Sequence, residues 1–251
     1  MGQLTKNQEA LIKALYTRHG RKKYDFCVCE GVRCCSDFLA ARPELLELLV
    51  CSEDFSHDFD RYNPARIPEC QFSKLSSTIA AQGILAVAKK PEPVPESKPP
   101  ADPFVFVLDR VGDPGNFGTI LRTVKAAGLK ELWYTAGSVD PFNDKVLRSA
   151  MAAQFTVGLR EFASLQTLKQ ALAAFGYNRF YRTDPHQGEN CFKEPGLFDK
   201  SVIIIGSEAD GAGELEGSVP VTIPMPGNSE SLNAAQAATI YLFEYVRRYL
   251  A

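Results

Sequence analysis

Three loops gather the side chains best suited to hold a polar ligand and act on it. The first is Asp113-Pro114-Gly115-Asn116-Phe117-Gly118, followed closely by Arg122. The second is Gly206-Ser207-Glu208-Ala209-Asp210-Gly211, and the third runs from Pro224 through Met225, Glu230, Ser231 and Leu232 to Asn233. Glycine lets backbone approach a ligand closely, while Asn, Glu and Ser supply hydrogen-bonding groups. No loop has the G-x-G-x-x-G of a dinucleotide site, and no glycine run is followed by a phosphate-binding lysine. His19, His57 and His186 lie outside all three loops and there is no G-x-S-x-G elbow, so a serine triad is not expected. Each histidine reads as a surface or packing residue.

The elements around these loops alternate. Phe104-Val105-Phe106-Val107-Leu108 is a continuous apolar run of strand length, and helical spacing begins at 120–127. Further strands are expected at 132–135, 178–182, 201–205 and 219–223, with a closing helix over 232–249. Helices between several of these strands imply a mostly parallel sheet covered on both faces, with the three loops at its carboxyl edge. Earlier in the chain, Thr5-x-x-Gln8 reads as a capping box for a helix bearing Leu11, Ile12 and Leu15. A strand-like 24–28 and segments at 32–41, 45–51 and 83–88 continue an α/β pattern. Between the two regions lies Pro91-Glu92-Pro93-Val94-Pro95-Glu96-Ser97-Lys98-Pro99-Pro100, whose prolines favour an extended, semi-rigid spacer. The organisation expected is therefore a small domain over 1–90, a linker over 91–102 and a larger domain over 103–251.

The 251 residues are 45% hydrophobic and 23% charged, which excludes a disordered chain, and no apolar run approaches bilayer length. The opening MGQLTKNQEALIKAL has no apolar signal core, and Lys6 stands where a myristoylation signal needs Ser or Thr, so a cytoplasmic protein is expected. Seven cysteines, an odd number with only Cys191 beyond residue 70, read as reduced thiols. The C-x-C and C-C spacings of Cys27, Cys29, Cys34 and Cys35 lack the two-residue gap of zinc-binding pairs, and no metal site is expected. Net charge is -2, so a nucleic acid would have to meet a local basic patch. Arg18-His19-Gly20-Arg21-Lys22-Lys23 is the candidate, with a solvated turn as the alternative.

Taken together, the loops resemble the SpoU, or TrmH-like, family of RNA ribose 2′-O-methyltransferases. Its N-x-G-x-x-x-R motif is matched by Asn116 to Arg122, its G-x-E by Gly206-Ser207-Glu208, and its I-P-M and S-L-N by Ile223-Pro224-Met225 and Ser231-Leu232-Asn233. Glu30-Gly31 and the segment Gln82-Gly83-Ile84-Leu85-Ala86-Val87 also resemble the family's small α/β RNA-binding domain.

The resemblance implies a SPOUT-type domain whose C-terminal segment forms a deep trefoil knot, and S-adenosylmethionine as cofactor. Backbone near Gly206, Ile223 and Leu232 would hold that cofactor. Arg122, Asn116, Glu208, Ser231 and Asn233 would form the catalytic set. Arg122 is assigned to charge stabilisation and phosphate orientation, because a guanidinium is a poor base near neutral pH. The partner implied is RNA, ribosomal RNA ahead of transfer RNA, and the assembly a homodimer. A different class, a non-catalytic RNA-binding protein that keeps the knot, rests on departures from the pattern. Ala209 replaces a usual glycine, and Ala150 and Ala152 stand where serine and glycine are usual.

Overall fold

A computed structural model describes residues 4–207, 210–227 and 230–251. The first elements are α1 (Lys6–Leu15), α2 (Arg18–Tyr24), β1 (Phe26–Glu30), α3 (Val32–Ala41), β2 (Leu46–Ser52), β3 (Ala65–Ile67), α4 (Glu69–Leu75) and β4 (Ile84–Lys89). They are followed by β5 (Val105–Leu108), α5 (Pro114–Ala126), β6 (Glu131–Thr135), α6 (Asp144–Ala150), β7 (Gly158–Phe162), α7 (Leu165–Ala173) and β8 (Arg179–Thr183). The chain ends with β9 (Glu189–Asn190), β10 (Ser201–Ile205), β11 (Ser218–Thr222) and α8 (Ala234–Tyr249). Two compact units result: Met1–Glu92 with Asp140–Thr156, and Pro93–Val139 with Val157–Ala251.

The first unit is built on a sheet ordered β1-β4-β2-β3. Alternation along the strands splits its apolar residues between two faces. Cys27, Cys29, Ile84, Ala86 and Ala88 join Phe38 of α3 on one face. Val28, Val50, Leu85 and Val87 join Ile12 of α1 and Phe72 of α4 on the other. The capping box is present, with Thr5 and Gln8 satisfying each other's backbone donors. Gln82 Oε1 accepts from the N–H of Val32 at 2.8 Å, so the 30–31 and 82–87 segments meet at the start of α3. Segment 140–156 packs into the same unit, with the Phe38 and Phe155 rings 4.5 Å apart and Leu147 fully buried. Ala152, where the resemblance leads one to expect glycine, takes the left-handed φ of 53°.

The basic run is not a turn: Arg18–Tyr24 is helix α2, capped by Thr17, with Arg18, Lys22 and Lys23 exposed. Arg21 is 3% exposed. Its Nε donates to Asp140 at 2.7 Å and its Nη1 to the Leu15 carbonyl at 2.9 Å. Arg21 is therefore a structural cation, and strand β1 starts at Phe26 rather than Tyr24.

The second unit carries a seven-stranded sheet ordered β7-β6-β5-β10-β8-β11-β9, and every pairing between these strands is parallel. The three strands β5, β6 and β10 are buried along their whole length, as sheets covered on both faces require. Val105, Val107, Val202 and Ile204 face α7 through Leu165, Leu168 and Leu172. On the opposite face α5 and α8 pack against each other, and Phe104 lies 4.9 Å from Tyr245 of α8. Helix α5 begins at Pro114, earlier than helical spacing suggests, because Asp113 caps it and proline suits the first turn.

Strand β7 was hidden in the sequence by Arg160. That arginine is 2% exposed, held by Glu131 at 2.8 and 3.1 Å and stacked on Trp133 at 4.5 Å. It also donates to the carbonyls of Pro95, Lys98 and Pro99. The proline-rich segment thus belongs to the second unit from Pro93 onward and is pinned to it, rather than running free.

Candidate cofactor and active site

Because β10, β8 and β11 are parallel neighbours, their carboxyl ends open on one edge of the sheet. A cavity of about 630 Å³ lies there, within the second unit, and the start of α8 forms part of its wall. That volume falls in the range of sites that enclose a small organic ligand. Gly206, Ile223 and Leu232, the expected cofactor residues, all line it, and so do Ser231 and Asn233 of the expected catalytic set.

Gly206 cannot be another residue. The loop after β10 folds back through a bridge between Ser207 and Gly211, and a Cβ at Gly206 would overlap the backbone of Gly211 and Ala212. Met225 and Leu232 give the wall apolar area, while Ser207, Asp210 and Glu230 give it polar groups.

Asn233 uses both ends of its amide. Its Oδ1 caps α8 by accepting from the N–H groups of Ala235 at 2.9 Å and Gln236 at 3.4 Å. Its Nδ2 donates to Asn116 Oδ1 at 3.0 Å. Asn116 stands in the first turn of α5, where the Asp113 carboxylate accepts from its N–H at 2.7 Å. The N-termini of α5 and α8 therefore meet beside the cavity, and two positive dipole ends face the same neighbourhood. Such a place favours negative charge, whether resident or developing.

The remaining catalytic candidates are placed differently. Arg122 lies about one and a half turns beyond Asn116 and roughly 120° around α5, exposed and outside the cavity wall. Glu208 lies outside the described residues. Among the wall residues not anticipated from the sequence are Arg182 near the end of β8 and, just beyond that strand, Asp184 and His186. The Asp184 carboxylate accepts from the N–H groups of His186 at 2.8 Å and Gln187 at 3.0 Å, an Asx turn that shapes this rim. The signal available was the strand itself, since its carboxyl end had to share the ligand edge.

Tyr241 of α8 is a further addition. Its hydroxyl donates to the Val221 carbonyl at 3.1 Å, and burial pushes its ionisation far above the ordinary range, so it is a neutral donor in the cavity wall. Of the α8 tyrosines, Tyr241 is 1% and Tyr245 9% exposed and both face inward, whereas Tyr249 is 54% exposed. The stripe that faces outward is Ile240, Phe243, Val246 and Leu250, with Phe243 45% and Leu250 59% exposed. Among the described residues no cluster could hold a metal ion.

Fold and cavity together define a parallel α/β protein with a candidate small-molecule site at the carboxyl edge of its second sheet, built on glycine-bearing loops and paired helix N-termini. Residues 103–243 match the SpoU rRNA Methylase family, and the chain belongs to it. It is 31% identical over 239 residues to the 23S rRNA (guanosine(2553)-2′-O)-methyltransferase RlmP of Bacillus subtilis, covering 92% of each chain. It is 35% identical over 179 residues to an uncharacterized tRNA/rRNA methyltransferase of Synechocystis, covering 70% of this chain and 64% of that protein. The solved structure of the SpoU methyltransferase AviRb from Streptomyces viridochromogenes, in complex with AdoMet, superposes with a TM-score of 0.81. That likeness covers 98% of this chain and 99% of the other at 23% identity, and it shows the shared fold.

Proposed function

We propose that this chain transfers a methyl group from S-adenosylmethionine to a ribose 2′-hydroxyl of RNA, with ribosomal RNA as substrate ahead of transfer RNA. The observation that carries the reading is the cavity: Gly206, Ile223 and Leu232 share its wall, and the Asn116–Asn233 pair joins two helix N-termini beside it. Family membership and the named activity of the RlmP relative support the reaction and the substrate class.

The cofactor supplies an electrophilic methyl group on a positively charged sulfur. The chain's task is then to align a 2′ oxygen with that methyl and to stabilise the oxygen as its proton departs. Gly206, Ile223 and Leu232, with the rest of the cavity wall, would hold the cofactor. Asn116 and the α5 and α8 N-termini favour the developing negative charge on oxygen, and Ser231 positions the ribose. Arg122, exposed on α5, orients the adjoining phosphate and adds positive charge, and Glu208 positions Arg122 or the substrate. Asn116, Arg122, Glu208 and Asn233 are all retained, which favours an enzyme over a binding protein that has lost turnover.

The finer expectations belong to the same proposal. The C-terminal segment that builds the cavity forms a deep trefoil knot, and the 1–90 region selects the RNA. The protein acts in the cytoplasm, and none of its described helices is long and apolar enough to cross a membrane. Two copies pair through the outward apolar stripe of α8. The test is incubation of the full chain with labelled S-adenosylmethionine and, separately, unmodified ribosomal and transfer RNA. Label is expected in ribosomal RNA; cofactor binding without transfer to either RNA would refute the proposal.

A further inference from the structure

The guanidinium donors of Arg21, Arg160 and Arg248 are met by the protein. Arg21 is bonded by Asp140 and Leu15, Arg160 by Glu131 and the proline-rich carbonyls, and Arg248 by Glu244, Glu194 and Cys191. Arg182 is the exception. It stands in the cavity wall at the end of β8, and its buried Nε has no hydrogen-bond partner among the described residues. A guanidinium keeps its charge and has only donors, so one to which the described residues offer no acceptor calls for an acceptor from the cavity it lines.

The rest of the wall indicates what that acceptor is. Arg182 is the only arginine or lysine lining the cavity among the described residues, set against the acidic side chains of Asp184, Asp210 and Glu230. S-adenosylmethionine has a matching charge pattern: a cationic sulfonium and ammonium, and a single carboxylate. We propose that Arg182 binds the carboxylate of the cofactor's methionyl end; this rests on the function proposed above. An RNA phosphate would offer similar oxygens. Arg182 shares its wall with Gly206, Ile223 and Leu232, however, whereas Asn116 and Arg122, the residues assigned to RNA, lie outside it. The carboxylate therefore fits the position better.

The test compares two ligands that differ only in this group, S-adenosylmethionine and its decarboxylated analogue, by calorimetric titration of the full chain. Arg182→Gln is expected to weaken S-adenosylmethionine by about ten-fold or more, as loss of a charge-assisted bond does, and to leave the analogue within about two-fold. Arg182→Lys should recover part of the loss. Unchanged binding of the analogue shows that the variant is folded and its cavity intact. Equal weakening of both ligands would reduce Arg182 to a structural role and overturn the assignment. Unchanged cofactor binding would overturn it as well, and weakened RNA retention in that case would identify a phosphate as the partner. If the parent chain bound neither ligand, the methyltransferase reading itself would fall.

Discussion

Asn233 shows why one residue type is required at a site. An aspartate there would still cap α8 but could not donate to Asn116, whereas asparagine does both through one amide. Asn233→Asp is therefore expected to keep thermal stability close to that of the parent and to lower methyl transfer at least ten-fold. Alanine would also lose the cap, at a cost of about 1 kcal/mol. Paired melting curves and turnover assays check both variants; equal turnover in Asn233→Asp would remove the Asn116 contact from the account. Residues of this kind were legible in the sequence because polar side chains and glycines stood together in loops. Arg182 and His186 were not, because they follow a strand whose end carries no such cluster. The inward face of α8 was not legible either, since a helix with apolar residues on two adjoining stripes does not reveal which one meets the sheet.

At the scale of the element, α2 separates two meanings of positive charge. Arg21 is buried and paired with an Asp140 side chain that keeps 20% exposure. Arg21→Ala should thus cost on the order of 2–3 kcal/mol in urea unfolding, somewhat below the range for fully buried pairs. Lys22 and Lys23 are exposed, and replacing both with alanine should leave stability unchanged while flattening the salt dependence of RNA binding. An unchanged salt slope would take α2 out of RNA binding altogether. Helix α8 carries a second charge effect. Hydrogen bonds from Arg247 and Arg248 hold the Glu244 carboxyl at about 2, against an ordinary 4.5. A group depressed in this way stabilises the fold fully above its unfolded value, and that contribution is lost as pH falls from 4.5 toward 2. Glu244→Gln should therefore lose stability at pH 7 and show a shallower acid limb between pH 5 and 2, read by denaturant midpoints. Most elements were legible from apolar periodicity, and β7 was not. Its Arg160 looks like a surface charge until Glu131, Trp133 and the proline-rich carbonyls are seen to satisfy it.

Across the whole molecule, the proline-rich segment does signal a change of unit, but the division is not a single cut. Residues 140–156 return to the first unit, where Leu147, Ala152 and Phe155 complete its core. Nothing local in that stretch announces which core it will join. The outward stripe of α8 is the feature that bears on assembly. Phe243→Asp is expected to shift the protein toward monomer and to reduce activity with it, measured by light scattering and turnover at the same concentration. A fully active monomeric parent would remove dimerisation from the mechanism. The central claim, transfer to a ribose oxygen assisted by Arg122, is tested most directly by where the label goes. RNA labelled by the parent chain is hydrolysed in alkali, which cannot cleave beside a methylated 2′ oxygen. The account predicts label confined to an alkali-resistant dinucleotide, no label with Arg122→Ala, and S-adenosylmethionine affinity of that variant within a few-fold of the parent. Label recovered in alkali-sensitive mononucleotides, or undiminished transfer by Arg122→Ala, would contradict it.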